Sequence, residues 1–170
     1  MISYTMAELK VWDNAPDFRA NSTKGEVSLS QFKGKGVVLY FYPKDMTPGC
    51  TVQAEEFSKL FNKFKDIELE IIGVSKDNIR SHHQFCEKED IPYPLISDTE
   101  GKICKLYGVL EERSMFGKKY IGINRSTFVI NTKGKVCKIW KNVKPKGHAE
   151  KVLKEIAMLK HVESLMDKEE

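Results

Sequence analysis

The hydrophobic positions of the chain fall into two kinds of pattern, short continuous runs and sets with helical spacing. Residues 37–42 are six consecutive apolar or aromatic residues with valines at the start, which predicts a buried strand. Pro43 lacks a backbone N–H group and is predicted to end that strand. Beyond a short loop, Val52 and Phe57 belong to an apolar set with the helical period, so a helix is predicted to begin near residues 48–50.

Similar patterns predict the elements of the remaining chain. Residues 18–20 and 26–29 flank a polar turn and are predicted to form an N-terminal β-hairpin. Further strands are predicted at residues 69–75, 94–98, 120–122, 126–130 and 136–140, and further helices at residues 78–88, 103–107 and 152–159. Asp77 or Asn78 is expected to cap the first of these helices. The alternation of strands and helices predicts an α/β fold with helices on both faces of a mixed central β-sheet.

Length and composition favour one globular domain. The 170 residues are enough to bury a sizeable core, and 31% charged with 41% hydrophobic residues is typical of a soluble protein. We find no internal repeat. The core is expected to span about residues 9–160, with residues 163–170 as a frayed tail.

Charge and hydropathy exclude several classes of protein. The net charge of +4 is modest and the lysines are dispersed, so no nucleic-acid partner is expected. No apolar run approaches the length that spans a membrane, and no membrane partner is expected. Residues 1–8 lack the basic and apolar blocks of a signal peptide, which predicts a cytoplasmic location.

The four cysteines show no Cys-x-x-Cys spacing, which argues against a disulfide scaffold or a zinc site and favours a reducing compartment. His82 and His83 are adjacent and cannot form the usual i, i+4 ligand pair on a helix. We therefore expect no metal site. Cys104 and Cys137 carry no motif and are expected to be structural, since cysteine is commonly buried for packing alone.

Cys50 is the candidate nucleophile. It is predicted to lie at a helix N-terminus, where unpaired N–H groups and the helix dipole favour a thiolate. Thr47 lies three positions earlier and offers a hydroxyl that can both donate and accept. The ring of Pro43 can form one wall of a pocket. Without further motifs, a buried structural cysteine at a loop-to-helix junction explains Cys50 equally well.

Three separated motifs identify a resemblance. The spacing of Pro43, Thr47 and Cys50, with Arg125 at the start of a later strand, resembles the active site of the peroxiredoxins. More narrowly, FYPKDMTPGCTVQA, SMFGKKYIGINRSTFVI and KGHAEKVL resemble the bacterioferritin comigratory protein, or peroxiredoxin Q, subfamily. The resemblance covers nearly the whole chain. It implies a thioredoxin-like fold and a monomer.

The resemblance also implies a reaction. The Cys50 thiolate would attack a hydroperoxide, with Arg125 and Thr47 stabilising the charge that develops on the departing oxygen. Pro43 would shield the sulfur and limit overoxidation. Cys50 would become a sulfenic acid, and a second thiol must condense with it to reset the enzyme. This chemistry requires no metal and no organic cofactor. The implied activity is a peroxidase for hydrogen peroxide and small organic hydroperoxides, recycled by thioredoxin or a similar dithiol protein.

The second thiol is predicted to be Cys86. Many members of the subfamily carry it five positions after the first cysteine, but Glu55 occupies that position here. Another group carries it in the following helix, where Cys86 lies. Both helices would then have to unwind locally before a disulfide forms, and the polar residues 81–84 predict that this unwinding costs little. Alternatively, Cys86 is a packing residue and an external thiol reduces Cys50.

Two further functions remain open at this stage. A disulfide oxidoreductase is disfavoured, because its chemistry normally requires Cys-x-x-Cys and Thr47 stands at the position of the first cysteine. A peroxide sensor or redox relay, in which oxidised Cys50 passes its state to a bound partner, needs the same activated sulfur as a peroxidase. The sequence does not separate these two functions.

Overall fold

The computed structural model describes residues 8–167 of the chain, and these form an α/β fold. The strands are β1 Arg19–Ser22, β2 Gly25–Ser28, β3 Gly36–Phe41, β4 Leu69–Ser75, β5 Leu95–Ser97, β6 Leu110–Met115, β7 Lys118–Ile123, β8 Ser126–Ile130 and β9 Val136–Trp140. The helices are α1 Pro48–Lys59, α2 Phe61–Asp66, α3 Ile79–Glu89, α4 Lys102–Leu106 and α5 His148–Asp167, with a 3-10 turn at Leu29–Phe32.

Seven of the strands form one mixed sheet in the order β2-β1-β5-β4-β3-β8-β9. β3 runs parallel to β4, and β4 runs parallel to β5, whereas β8 pairs antiparallel with β3 on its other side. β1 and β2 form the predicted N-terminal hairpin at one edge. The mixed sheet and the hairpin confirm the fold class expected from the sequence.

The core lies in two layers, one on each face of the sheet. Successive side chains of a strand point to opposite faces, so β3 contributes to both layers. Leu39 and Phe41 pack in the layer that includes Tyr107, which follows α4. Tyr40 packs in the other layer, which includes Phe57 of α1 and the apolar face of α5. Because β3 is central and buried on both faces, its C-terminal end is a rigid support for the loop that leads to Cys50.

Two local expectations differ from the structure. β6 was not predicted, because its exposed, charged sequence carries neither an apolar run nor alternation; it pairs with β7 in a separate two-stranded arm. The predicted frayed tail begins at residue 163, yet α5 is helical through Asp167. Residues 168–170 of the predicted tail lie outside the described part of the chain. Residues 1–7, on which the expected absence of a signal peptide rests, also lie outside it.

Among residues 8–167, none of the helices combines the length and the apolar composition that crossing a membrane requires.

Candidate active site

Cys50 lies in the first turn of α1, as the sequence predicts. β3 ends at Phe41, the chain turns, and Thr47 takes the N-cap position in an extended conformation with Pro48 as the first helical residue. Proline is favoured there because the first N–H groups of a helix have no intrahelical partner. No acidic side chain is present in the first turn. The position of Cys50 therefore favours negative charge, and its side chain is only 2% exposed.

Thr47 does not cap the helix with its side chain. Its hydroxyl instead donates to the backbone carbonyl of Lys44 at 2.8 Å. This bond fixes the hydroxyl oxygen and leaves it able to accept hydrogen bonds from another molecule. Pro43 is exposed on the same loop, at its outer surface.

Arg125 precedes β8 and reaches the first turn of α1. Its Nη2 lies 3.2 Å from the point that a Cβ atom on Gly49 would occupy, and Pro145 Cγ is equally close to that point. Glycine at residue 49 therefore lets the guanidinium pack directly beside the backbone turn that carries Cys50. The structure thus brings Cys50, Thr47 and Arg125 to one end of α1.

Gln53 holds the guanidinium in place, and the sequence reasoning did not single it out. Arg125 Nη1 donates to Gln53 Oε1 at 2.7 Å, and the Gln53 side chain is fully buried. Its Nε2 has no hydrogen-bond partner within the described residues. The signal available in the sequence was the spacing, because residues three apart on a helix share a face, and Gln53 follows Cys50 by three.

Beneath Cys50 lies a buried pair of tyrosine hydroxyls. Tyr40 and Tyr93 contact each other through Oη atoms 2.7 Å apart. Tyr93 donates to the carbonyl of Ala54 at 3.3 Å, so Tyr40 is the donor to Tyr93. Burial, followed by the neighbouring Tyr93 and Tyr42, raises the pKa of Tyr40 well above its ordinary value. The pair therefore stays protonated, and it satisfies both hydroxyls inside an aromatic layer.

Cys86 lies in α3 and is not bonded to Cys50, since all four cysteines are free thiols. Its half-buried side chain packs against the same apolar cluster that contains Cys50. Burial raises the pKa of the Cys86 thiol, although a hydrogen bond with Thr23 opposes that change. The structure thus places both sulfurs on one side of the sheet, in separate helices.

The remaining cysteines lie in other surroundings. Cys104 in α4 is buried on the opposite face of the sheet, where burial and the adjacent Asp98 raise its pKa. Cys137 lies half-buried on β9, and burial raises its pKa as well. The carboxylate beside Cys104 disfavours the thiolate that a nucleophile needs.

His148 is the first residue of α5. Its Nε2 lies 2.8 Å from Thr127 Oγ1 on β8. Burial, with the nearby charges of Lys151 and Arg125, lowers the pKa of His148 to about 4. His148 is therefore a neutral hydrogen-bonding residue near neutral pH.

His82 is buried, unlike its exposed neighbour His83. It contacts Asp45, which lies in the loop between β3 and α1. Ligand-type atoms of Asp45, Asp77 and His82 lie within 4.8 Å of one another, a separation that a metal ion would also require. Hydrogen bonds within the protein already engage all three side chains, so we describe the group as a hydrogen-bond network.

The network changes one expectation about α3. The polar residues 81–84 predict a helix that unwinds at little cost. In the structure both Ser81 and His82 bind the Asp45 carboxylate. Unwinding α3 must therefore break buried hydrogen bonds, which costs more than the polarity of the segment indicates.

Comparison with known proteins identifies the family of the chain. The model of the AhpC/TSA family matches residues 11–139. The chain belongs to that family.

Its relatives define the group within the family. The chain is 43% identical over 146 residues to Peroxiredoxin Bcp of Bacillus subtilis, covering 85% of this chain and 93% of that protein. A structure of Xanthomonas campestris Peroxiredoxin Q has a TM-score of 0.81 at 37% identity, covering 88% of this chain and 96% of that one. The structure of a Cys→Ser mutant of PrxQ from Xylella fastidiosa has a TM-score of 0.85 at 34% sequence identity, and the match covers 90% of this chain and 98% of that one. These matches confirm the resemblance to peroxiredoxin Q and support a thiol peroxidase activity.

Proposed function

We propose that this protein reduces hydrogen peroxide and small organic hydroperoxides with Cys50 as the peroxidatic residue. The observation that supports this most strongly is the guanidinium of Arg125, which Gln53 holds beside the helix turn of Cys50. A permanent positive charge at that point favours a thiolate and binds the oxygens of a peroxide.

The first chemical step forms one bond and breaks another. The Cys50 thiolate attacks the terminal O–H oxygen of the hydroperoxide with an electron pair, an S–O bond forms and the O–O bond breaks. The O–H group stays on sulfur as a sulfenic acid, and the departing alkoxide or hydroxide takes a proton from solvent and leaves as an alcohol or water. Negative charge grows on the departing oxygen, so Arg125 and the free N–H groups of the first turn stabilise the transition state more than the ground state. Because its hydroxyl proton is donated to Lys44, Thr47 accepts a hydrogen bond from the bound peroxide and does not stabilise the departing oxygen as the sequence predicted. Pro43 covers the outer side of the site.

The proposed substrates include small organic hydroperoxides because of the activity attributed to a related protein. Alkyl peroxide reduction activity is attributed to the Xanthomonas campestris bacterioferritin comigratory protein, and a solved structure of that protein is 36% identical to this chain with a TM-score of 0.81.

The second step of the proposal uses Cys86. The Cys86 sulfur attacks the sulfur of the Cys50 sulfenic acid, the S–O bond breaks, and the hydroxyl leaves as water with the proton of the Cys86 thiol. Two observations support this role. Cys50 and Cys86 pack in one apolar cluster. Two solved structures of Xanthomonas campestris Peroxiredoxin Q each replace one cysteine by serine, and those two cysteines are separated along their chain by the same number of residues as Cys50 and Cys86 are here. Thioredoxin or a similar dithiol protein then reduces the disulfide and restores both thiols.

Peptide mapping tests the pairing. The reduced protein is treated with one equivalent of hydrogen peroxide without reductant, digested and analysed by mass spectrometry. A Cys50–Cys86 peptide is expected, and Cys137→Ser, which alters another half-buried cysteine, should give the same peptide. If Cys50 instead stays a sulfenic acid until an external thiol is added, the protein works with one cysteine and the role of Cys86 is wrong.

Turnover separates a peroxidase from a redox relay. With thioredoxin, its reductase and excess peroxide, continuous peroxide consumption is expected. A single burst followed by disulfide-linked adducts to other proteins would instead identify a sensor. We also propose that the chain acts as a single-domain monomer, which light scattering after size-exclusion chromatography measures directly.

A further inference from the structure

The buried network at His82 connects the two halves of the site. His82 Nδ1 lies 2.7 Å from Asp45 Oδ2, and His82 Nε2 lies 2.8 Å from the carbonyl oxygen of Ile96 on β5. The same carboxylate accepts hydrogen bonds from Tyr42 Oη at 2.7 Å and Ser81 Oγ at 2.8 Å. The imidazole is fully buried and Asp45 is only 4% exposed.

The hydrogen bonds fix the number of protons in this network. A carbonyl oxygen only accepts, so Nε2 of His82 carries a proton. The contact between Nδ1 and the carboxylate then requires a second proton, located on His82 or on Asp45. An imidazolium facing a carboxylate satisfies every donor, since Asp45 accepts from Tyr42, Ser81 and His82 together. The hydrogen-bonded pair of His82 and Asp45 therefore holds one proton more than a neutral histidine and an ionised carboxylate would hold together.

This pair joins the loop of Cys50 to the helix of Cys86. Asp45 lies between Pro43 and Thr47, and its own N–H donates to Asp77 Oδ2 at 2.9 Å. His82 precedes Cys86 by four residues, which places both on one face of α3. Movement of α3 away from the sheet must therefore separate His82 from Asp45, and the loop that presents Cys50 then loses its hydrogen bonds to Ser81 and His82 of α3.

We propose that His82 is a positioning residue that, paired with Asp45, holds the peroxide-reactive arrangement, and that separation of the pair, with release of one proton, gates attack of Cys86 on oxidised Cys50. This inference rests on the proposed role of Cys86. The covalent step is the one already given: the S–S bond forms, the S–O bond breaks and water leaves.

Proton release gives the gate a pH dependence with a defined sign. The titratable groups that face His82 are Asp45 from the loop, Tyr42 after β3 and Asp77 before α3, whereas β5 presents only a backbone carbonyl. Burial and Asp45 raise the pKa of Tyr42 well above its ordinary value, so it remains a donor throughout. Because separation of His82 from Asp45 releases the proton held between them, a higher pH favours separation.

The test compares His82→Gln with the matched control His83→Gln, which changes an exposed residue of the same helix. Quenched-flow mass spectrometry follows two rates from pH 6 to 8.5: addition of oxygen to Cys50, and formation of the disulfide. For His82→Gln at pH 6 we expect disulfide formation to accelerate by roughly tenfold relative to the wild type, because a hydrogen bond to a charged group is lost. His83→Gln should match the wild type.

The pH profile distinguishes a gate from a structural residue. Ionisation of the Cys86 thiol contributes to the pH dependence of disulfide formation in both the wild type and His82→Gln. The difference between their rates therefore isolates the contribution of the pair of His82 and Asp45. We expect that difference to shrink as the pH rises. Identical rates and profiles for the two proteins would overturn the inference while leaving the proposed function intact.

Two further outcomes are decisive. A wild-type protein that forms no Cys50–Cys86 disulfide overturns both the proposed role of Cys86 and the gate. If His82→Gln does not fold, the experiment uses Asp45→Asn instead, because that variant removes the carboxylate charge from the other side of the pair. The gate then requires the same acceleration at low pH and the same weakened pH dependence.

Discussion

Arg125 donates from Nη1 to Oε1 of Gln53 at 2.7 Å, and this contact ties β8 to the helix turn of Cys50. Arginine has many rotamers, and an unrestrained guanidinium would spread over several positions near the site. A fully buried acceptor one turn after Cys50 selects a single position. The charge is therefore in place before peroxide arrives, which is the condition for effective transition-state stabilisation.

Gln53→Leu should lower the second-order rate constant for peroxide by roughly tenfold, because the guanidinium loses the acceptor that orients it. Stopped-flow mixing of the reduced variant with hydrogen peroxide measures this constant. Gln84→Leu, which changes an exposed glutamine of α3, is the matched control and should remain close to the wild type. Equal rates for Gln53→Leu and the wild type would show that Arg125 is positioned by other contacts.

Arg125→Lys should lower the same rate constant by about 100-fold, because lysine offers a point charge without the planar fork that reaches both Gln53 and a bound oxygen. Arg113→Lys, on the exposed arm formed by β6 and β7, provides a matched control and should have no effect. Loss of activity in both variants, or in neither, contradicts the proposed role of Arg125.

Much of this site could be anticipated from the sequence because its parts have strong local signals. A continuous apolar run, a proline and a helical period locate β3, the loop and α1, and Cys50 follows from them. The role of Arg125 was harder to predict from the sequence. An arginine at the start of a strand is usually solvated, and only its resemblance to a family motif indicated that it reaches α1.

The features that were missed depend on tertiary contacts. His82 and His83 are indistinguishable in a polar segment, and only the packing of α3 on β5 buries one and exposes the other. Gln53 is likewise an ordinary helical residue until Arg125 is placed beside it. The arm at residues 110–123 lacks apolar alternation because most of its side chains face solvent.

Tyr93→Phe should lower the free energy of unfolding by about 1–3 kcal/mol, because it leaves the buried Tyr40 hydroxyl without its acceptor. Chemical denaturation followed by circular dichroism measures the change. Tyr120→Phe alters a tyrosine that is 44% exposed and should change stability little. Equal stabilities for all three proteins would mean that the hydroxyl pair contributes nothing.

Stability should fall in mild acid because of His148. Its pKa is lowered from 6.5 to about 4 in the folded protein. Between these values the unfolded chain binds a proton that the folded protein does not, so the free energy of unfolding decreases as the pH falls, by at most about 1.4 kcal/mol per pH unit. Above 6.5 this contribution is constant, and below 4 the loss is complete.

The variant His148→Gln isolates this effect, because glutamine can still contact Thr127 but does not titrate. Denaturation curves from pH 7 to 4.5 should show a shallower loss of stability than the wild type. His161→Gln, which changes an exposed residue of the same helix, should retain the full slope. An unchanged slope in His148→Gln would contradict the buried, neutral state of His148.

The central claim is that Cys50, and no other cysteine, breaks the O–O bond. The most direct measurement is the reaction of reduced Cys86→Ser with one equivalent of hydrogen peroxide, quenched within seconds and mapped by mass spectrometry. We predict one added oxygen on Cys50, formed at least ~100-fold faster than on free cysteine, and none in Cys50→Ser. Oxygen on Cys104 or Cys137, or a rate at Cys50 equal to that of free cysteine, would contradict the account.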